Sequence, residues 1–529
     1  MAALPKAFLT VGASFLSARA ATRLVAQADA EPVQKAVFKE LIPNLAQGFV
    51  WSSLGVEAAM GYDDFRSRVP IQTHADLARH IDSMRRGAED VLWPGRCVIF
   101  ARKAGTTPGP PRLIPVTEAM LGHFRKAGIE SMLWYTARVR NTEVYRGRHL
   151  HLGGSTALEP IGEPGGPEAF AGDLGGIRSL NLPTWAEKHL YEPGTEIAQM
   201  TDWTAKLAAV VERTYPLDIS LLEGMPNWIV LLAAAIRERA AQEGNAAPNL
   251  QAVWPRLECL VHGGVPIAPF QDELHTLLGP KVAFHEVYPA AEGLIAAQDA
   301  DSAAGLRLMA DAGIFFEFLP MADYEPSRIH LLGPKAVPIG GVKAGTDYAV
   351  LLTTPAGLAR YFIGDVVRFT STRPPRLLYV GRTELRLNAF GENVAEKEVT
   401  DTVVGICRRN GWTIAGFHVA PFFTPSTTGN APGRHEWWVE LHAGTAITPT
   451  GPIIAAELDK ALIQHNPGYA AKRSSGALEA PYVRLVMPGV FEQWMRHHGK
   501  WGGQNKMPRC SSDRAIADEL GKALQFAKD

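Results

Sequence analysis

Asp365 closes the run Ala359-Arg360-Tyr361-Phe362-Ile363-Gly364, a mostly apolar stretch of strand-like composition. An ionised carboxylate only accepts hydrogen bonds, so at a strand end it can receive both hydroxyls of a ribose. The other reading is a polar residue that turns the chain, and Arg382 after Gly381 carries the same ambiguity. Upstream, Gly105-Thr106-Thr107-Pro108-Gly109 offers two hydroxyls and backbone N–H groups without bulk, with Arg112 nearby to add charge. Such a loop can wrap phosphate oxygens. It lacks the Gly-Lys-Ser/Thr ending of a Walker A loop, and a plain turn has the same composition. Tyr288 can stack on a purine, and Glu292, four residues on, can hold Mg2+ against phosphates. The alternative is a half-buried tyrosine and a solvated glutamate. Lys506, in Gly499-Lys500-Trp501-Gly502-Gly503-Gln504-Asn505-Lys506, is a surface cation unless something in the fold brings it inward.

These residues need strands and turns to bring them together. The apolar run Cys97–Ala101 reads as a strand entering the phosphate-type loop, and Thr117–Tyr135 as the helix that follows. The helix contributes Phe124 and Trp134 as candidate walls of a substrate pocket, or equally as core. Leu257–Val261 reads as a strand that ends at His262-Gly263-Gly264, and Val282–Val287 as one that ends at Tyr288. Helices are expected over Thr204–Arg213 and Trp228–Gln242. Strands alternating with helices imply a parallel α/β core, whose ligands gather at the carboxyl ends of the strands. From Gly313 to Val380 short β segments follow one another, as in an antiparallel or barrel-like subdomain. Beyond Arg382 the pattern becomes a smaller α+β unit with helix 395–409, strand 414–420, strand 435–443 and helix 452–464.

The chain has 529 residues, more than one compact core accommodates. With 53 basic and 54 acidic residues the net charge is -1, so there is no basic excess of the kind nucleic-acid binders show. The four cysteines, Cys97, Cys259, Cys407 and Cys510, are scattered, with no CxxC pair; free thiols in a reducing cytoplasm are expected. No apolar run approaches the length of a membrane span. Leu9, Phe15-Leu16 and Leu24-Val25 fit one face of a folded helix better than a secretory signal. The histidines show neither HExxH nor i, i+4 metal spacing, and no GxSxG elbow is present.

Taken in order, the motifs resemble those of the acyl-acid amido synthetases of the auxin-responsive Gretchen Hagen family and their bacterial relatives, within the adenylate-forming enzymes. The resemblance runs almost end to end. It includes Tyr62-Asp63-Asp64-Phe65-Arg66-Ser67-Arg68-Val69-Pro70-Ile71, Gly224-Met225-Pro226-Asn227-Trp228, Gly305 to Pro320, Gly364-Asp365-Val366-Val367 and Gly503-Gln504-Asn505-Lys506-Met507-Pro508-Arg509. It implies a firefly-luciferase-like α/β fold, with residues 1–382 holding the ATP and acyl-acid sites and a mobile C-terminal lid over 383–529. It implies ATP and Mg2+, a small carboxylic acid and an amine or amino acid as partners. By the same resemblance Thr106 and Thr107 line the phosphate loop, and Gly263 and Gly264 lie beside the adenine. Tyr288 stacks on that base, Glu292 is the Mg2+-linked acid, Asp365 binds ribose, Arg382 and Glu384 mark the hinge, and Lys506 approaches the reacting groups. Two positions depart from the family: Ala104 and Ala291 each stand where a hydroxyl is usual. A thiol-accepting ligase, or a relative that binds without turnover, fits the same motifs.

Overall fold

A computed structural model describes residues 6–103, 112–383, 385–423, 433–442, 449–501 and 507–526. The phosphate-type loop with Thr106 and Thr107, and also Glu384 and Lys506, lie outside the described residues. The chain divides into two compact units, Met1–Ile363 with Val367–Leu378, and Gly364–Val366 with Tyr379–Asp529. Asp365 and Arg382 therefore group with the C-terminal unit. Local bonds account for it: Arg382 Nε lies 3.3 Å from Asp365 Oδ1, and Thr383 N donates to Gly364 O at 2.8 Å.

The first unit is built on a large mixed sheet. Its parallel part runs Ala283–Ala290, Cys259–His262, Ile219–Gly224, Arg148–Leu152 and Tyr191–Glu192. The segments expected as an antiparallel or barrel-like subdomain are antiparallel, and they continue this sheet. Ala283–Ala290 turns back as the hairpin strand Gly293–Ala297, which pairs with Leu306–Leu308. From there the order passes through Pro375–Arg382, Tyr361–Thr372, Asp347–Thr353 and Phe315–Pro320 to the edge at Val337–Pro338. Hydrogen bonding thus runs on from the parallel part of the sheet into the antiparallel part.

Helix Glu118–Val139 crosses the face behind the parallel strands. Thr117 caps it by accepting from Met120 N at 3.1 Å, while its hydroxyl donates to Pro355 O at 2.6 Å. Helix Lys6–Ala26 packs along it: Ser17 and Thr136 share a buried 2.5 Å hydrogen bond, and Arg23 donates to both oxygens of Glu130. Helix Glu31–Leu45 is pinned by the buried Gln34, which donates to Ala310 O and Ile314 O and accepts from Phe316 N. No helix among the described residues is long and apolar enough to cross a membrane.

The second unit has helix Glu396–Asn410, the antiparallel pair Ile414–Phe423 and Gly433–Leu441, helix Gly451–His465 and a third strand, Tyr482–Val486. Its core holds Val399, Val403, Ile406, Trp437, Val439, Leu458 and Leu462. The apolar spacing of the two helices is what that core requires.

One buried ion pair organises the antiparallel part. Arg360, fully buried and held at φ +47, donates from Nε and Nη2 to Glu317 at 2.8–3.1 Å. Its remaining N–H groups go to Arg66 O, Val69 O and Gly333 O, and Tyr62 donates to Glu317 Oε1 at 2.9 Å. Removing one partner leaves the other charge buried alone. Glu317→Ala is therefore expected to destabilise the fold by about 3–5 kcal/mol, read from the denaturant midpoint. A shift no larger than that of an exposed-residue control would contradict this assignment.

Candidate active site

The carboxyl ends of two parallel strands carry Gly263, Gly264, Tyr288 and Glu292, four of the residues singled out for nucleotide binding. Strand Cys259–His262 runs into Gly263–Gly264. A Cβ at position 263 would lie 2.3 Å from Val287 O, and Gly264 has φ +78, so this turn passes close against the neighbouring strand as only glycine permits. Tyr288 lies within strand Ala283–Ala290 rather than just past it, facing Ala296 across the hairpin, and is largely buried.

Ala290 and Gly293 face each other, leaving Ala291–Glu292 as a two-residue turn. Turn residues normally point into water, but Glu292 is 0 % exposed. Lys103, at the end of strand Ile99–Lys103, places Nζ 2.6 Å from Glu292 Oε1, with Ile363 O at 3.4 Å. Glu292 Oε2 is buried and has no hydrogen-bond partner among the described residues. The phenol of Tyr361 is pushed well above its ordinary value by burial and then by the Glu292 charge, so it stays protonated. His74 nearby is lowered, first by burial and also by the positive charges of Arg112 and Lys103. Behind the turn, His123 accepts from Leu294 N at 3.0 Å and its other ring nitrogen faces Ala312 O at 2.7 Å. This fixes the start of the strand that follows Glu292.

The second cluster lies in the C-terminal unit. Asp365 is 5 % exposed and paired with Arg382. Tyr379 stands beside them; its phenol is raised well above normal by burial, then by Asp365 and Glu396. Glu396 begins helix Glu396–Asn410, with the half-buried Arg509 close by; desolvation lowers that guanidinium. Lys103, Tyr379, Glu396 and Arg509 were not singled out from the sequence. Lys103 directly precedes the Gly-Thr-Thr loop, and its partner is 189 positions away, a separation that no local pattern reveals.

Of the two candidate pocket residues, Trp134 packs with Ala20, Ala127, Leu294, Met309 and Ala312, a core position that accounts for its size and burial without a ligand. Phe124 is buried with its ring 5.2 Å from that of His123, edge to face. His262 is also buried, and its neutral form is favoured by burial, which lowers it to about 3.

The GH3 family N-terminal domain matches residues 24–282, the GH3 family central domain residues 307–382 and the GH3 family C-terminal domain residues 398–515. The "Probable indole-3-acetic acid-amido synthetase GH3.12" of Oryza sativa subsp. japonica is 23% identical over 95% of this chain and 94% of its own length. Indole-3-acetic acid-amido synthetase GH3.10 of Arabidopsis thaliana is 30% identical over a segment covering 39% of this chain and 36% of its own. The fold is shared with the GH3.15 acyl acid amido synthetase (TM-score 0.72, 16% identity, 93% and 94% of the two chains). It is shared also with 2-hydroxyisobutyryl-CoA ligase (TM-score 0.61, 15% identity, 93% and 91%).

Buried neutral histidines give this unit a defined response to acid. Burial lowers His123 to about 4 and His149, His262 and His285 to about 3, whereas an unfolded imidazole titrates near about 6.5. Between those values the unfolded chain binds more protons, so stability falls as pH drops through about 6.5 towards about 4. Unfolding at about pH 5 should take up several protons that it does not take up at about pH 8. Calorimetry in buffers of different ionisation enthalpy measures this, and equal uptake at both pH values would contradict it.

Proposed function

Because the chain belongs to the GH3 family, we propose that it is an acid-amido ligase: it adenylates a small carboxylic acid with ATP and passes the acyl group to an amine, with an amino acid as the expected acceptor. The observation that carries this reading is the fully buried Glu292, paired to Lys103, in the hairpin turn that follows strand Ala283–Ala290, the strand that bears Tyr288 and lies beside the one that runs into Gly263 and Gly264. Burying a carboxylate is costly, and a two-residue turn can shed the cost by facing outward; retaining it there suits a site that handles charge.

In this scheme Gly263, Gly264 and Tyr288 accommodate the adenine and Asp365, steadied by Arg382, receives the ribose hydroxyls. Thr106 and Thr107 hold phosphate oxygens. The residues suit a single metal contact: Glu292 Oε2 lacks a partner, and the described residues contain no group of three or more His, Cys, Asp or Glu placed to hold an ion. Phosphate oxygens would supply the other ligands, in keeping with the coordination Mg2+ prefers. Bound there, Mg2+ would neutralise phosphate charge. The acid's carboxylate oxygen attacks the α-phosphorus, the bond to pyrophosphate breaks and an acyl-adenylate forms. The amine nitrogen then bonds to the acyl carbon, the carbon–oxygen bond to AMP breaks, and the nitrogen loses a proton to solvent. Positioning and charge neutralisation supply most of the rate. Free thiols at all four cysteines, three of them buried, suit a reducing cytoplasm.

Pyrophosphate release from ATP and a mixed pool of carboxylic acids, followed by AMP release on addition of amino acids or of coenzyme A, tests the scheme. AMP release with amino acids supports it; release with coenzyme A alone would reassign the acceptor to a thiol, and no pyrophosphate under any condition would reject ligase activity. Asp365→Ala is expected to raise the KM for ATP about 10- to 100-fold, since hydrogen bonds to a charged group contribute about 1.5–3 kcal/mol each. An unchanged KM in a folded variant would remove Asp365 from the ribose site. Lys506→Ala is expected to slow adenylation more than amide formation from presynthesised acyl-adenylate, because a cation near the departing pyrophosphate stabilises its growing charge. Equal slowing of both half-reactions would take Lys506 out of the chemistry.

A further inference from the structure

We propose that Lys103 is a phosphate-binding cation of the ATP site, held ready on Glu292 in the free enzyme and donating to the phosphate chain when nucleotide enters. This rests on the ligase reading above and adds a residue to it.

The geometry is specific. Lys103 ends strand Ile99–Lys103, and in sequence it directly precedes Ala104, Gly105, Thr106 and Thr107, the segment assigned above to phosphate. Nζ is 2.6 Å from Glu292 Oε1 and 3.4 Å from Ile363 O, and the side chain is only 12% exposed. An ammonium has three N–H donors. The contact to Glu292 is strong, that to Ile363 O is long, and the third donor has no partner among the described residues.

Charge makes the same point. ATP brings several negative charges towards a buried carboxylate, and at short range in a poorly screened site that repulsion is large. A lysine touching the carboxylate cancels it and leaves the pair near neutral. The chain also lacks side-chain hydroxyls at Ala104 and Ala291, the neighbours in sequence of Lys103 and Glu292. One flexible ammonium paired to Glu292 can donate to phosphate in place of short hydroxyl donors and adds a full charge. A structural ion pair that merely fastened strand Ile99–Lys103 to the hairpin would need no spare donor.

Direct binding separates the two roles. The affinities of ATP and of adenosine are measured by calorimetry in EDTA, so that no metal or turnover enters, for the wild type and for Lys103→Met. The expected result is a loss of at least about 10-fold in ATP affinity, the effect of one charge-assisted hydrogen bond, with adenosine affinity unchanged. If Lys103→Met fails to fold because Glu292 is left buried and unpaired, the double variant Lys103→Met, Glu292→Gln replaces the pair by neutral groups of similar shape. It too should lose the preference for ATP over adenosine. ATP affinity at the wild-type level in either folded variant, or equal losses for ATP and adenosine, overturns the proposal. A wild-type protein that binds adenosine but not ATP contradicts it as well. Wild-type protein that binds neither ligand instead overturns the ligase reading from which it starts.

Discussion

The buried pair of Arg360 and Glu317 is the contact on which the geometry of the first unit depends. Five hydrogen-bond donors of a guanidinium find partners on three separate segments: the end of helix Tyr62–Arg68 with Val69 after it, strand Phe315–Pro320 and the 3-10 helix Pro326–Lys335 at Gly333. A pair this deeply buried gains little net stability over an apolar substitute, because desolvation offsets the attraction. Its effect is specification. It forces a left-handed backbone at Arg360, which an arginine adopts only under such constraint. The next residues then leave in a fixed direction: Phe362 N donates to Gln72 O, and Gln72 N to Arg360 O. Tyr361 is thereby brought near Glu292, and Ile363 O near Lys103.

The site is thus a product of order imposed from behind. Glu292 would be an ordinary hairpin-turn glutamate without Lys103 in front and His123 bracing the strand start behind. Gly293 shows how closely these parts fit: a Cβ there would come within 2.2 Å of Ile314 and 3.2 Å of His123 Nε2. The second acidic residue follows a different logic. Asp365 is matched to an arginine 17 positions on along the chain, across the bend from strand Tyr361–Thr372 to strand Pro375–Arg382. Its partner is local, so its geometry can form with the hairpin itself.

What was legible in the sequence follows the same division between local and distant. The stretch Thr117–Tyr135 read as a helix and is one, over Glu118–Val139, and the four C-terminal elements fall within three residues of their expected bounds. Periodicity and capping are local properties, and the sequence displays them directly. The joining of the antiparallel strands to the parallel sheet was not legible, because strand partners are set by long-range pairing that composition does not encode. Trp134 looked as suited to a pocket as to a core, since burial alone does not distinguish the two; its neighbours from helix Lys6–Ala26 and from the hairpin decide it. Lys103 was passed over because nothing within its own segment distinguishes it from a surface lysine.

In the proposed reaction a carboxylate oxygen of the substrate bonds directly to the α-phosphorus of ATP. The most direct measurement uses a carboxylic acid that the enzyme accepts, labelled with heavy oxygen at both carboxyl positions, and reads the AMP by mass spectrometry after amide formation. The account predicts that each AMP carries one heavy oxygen atom, left behind when the amine displaces the adenylate. Unlabelled AMP, or ADP with the label in inorganic phosphate, would contradict it.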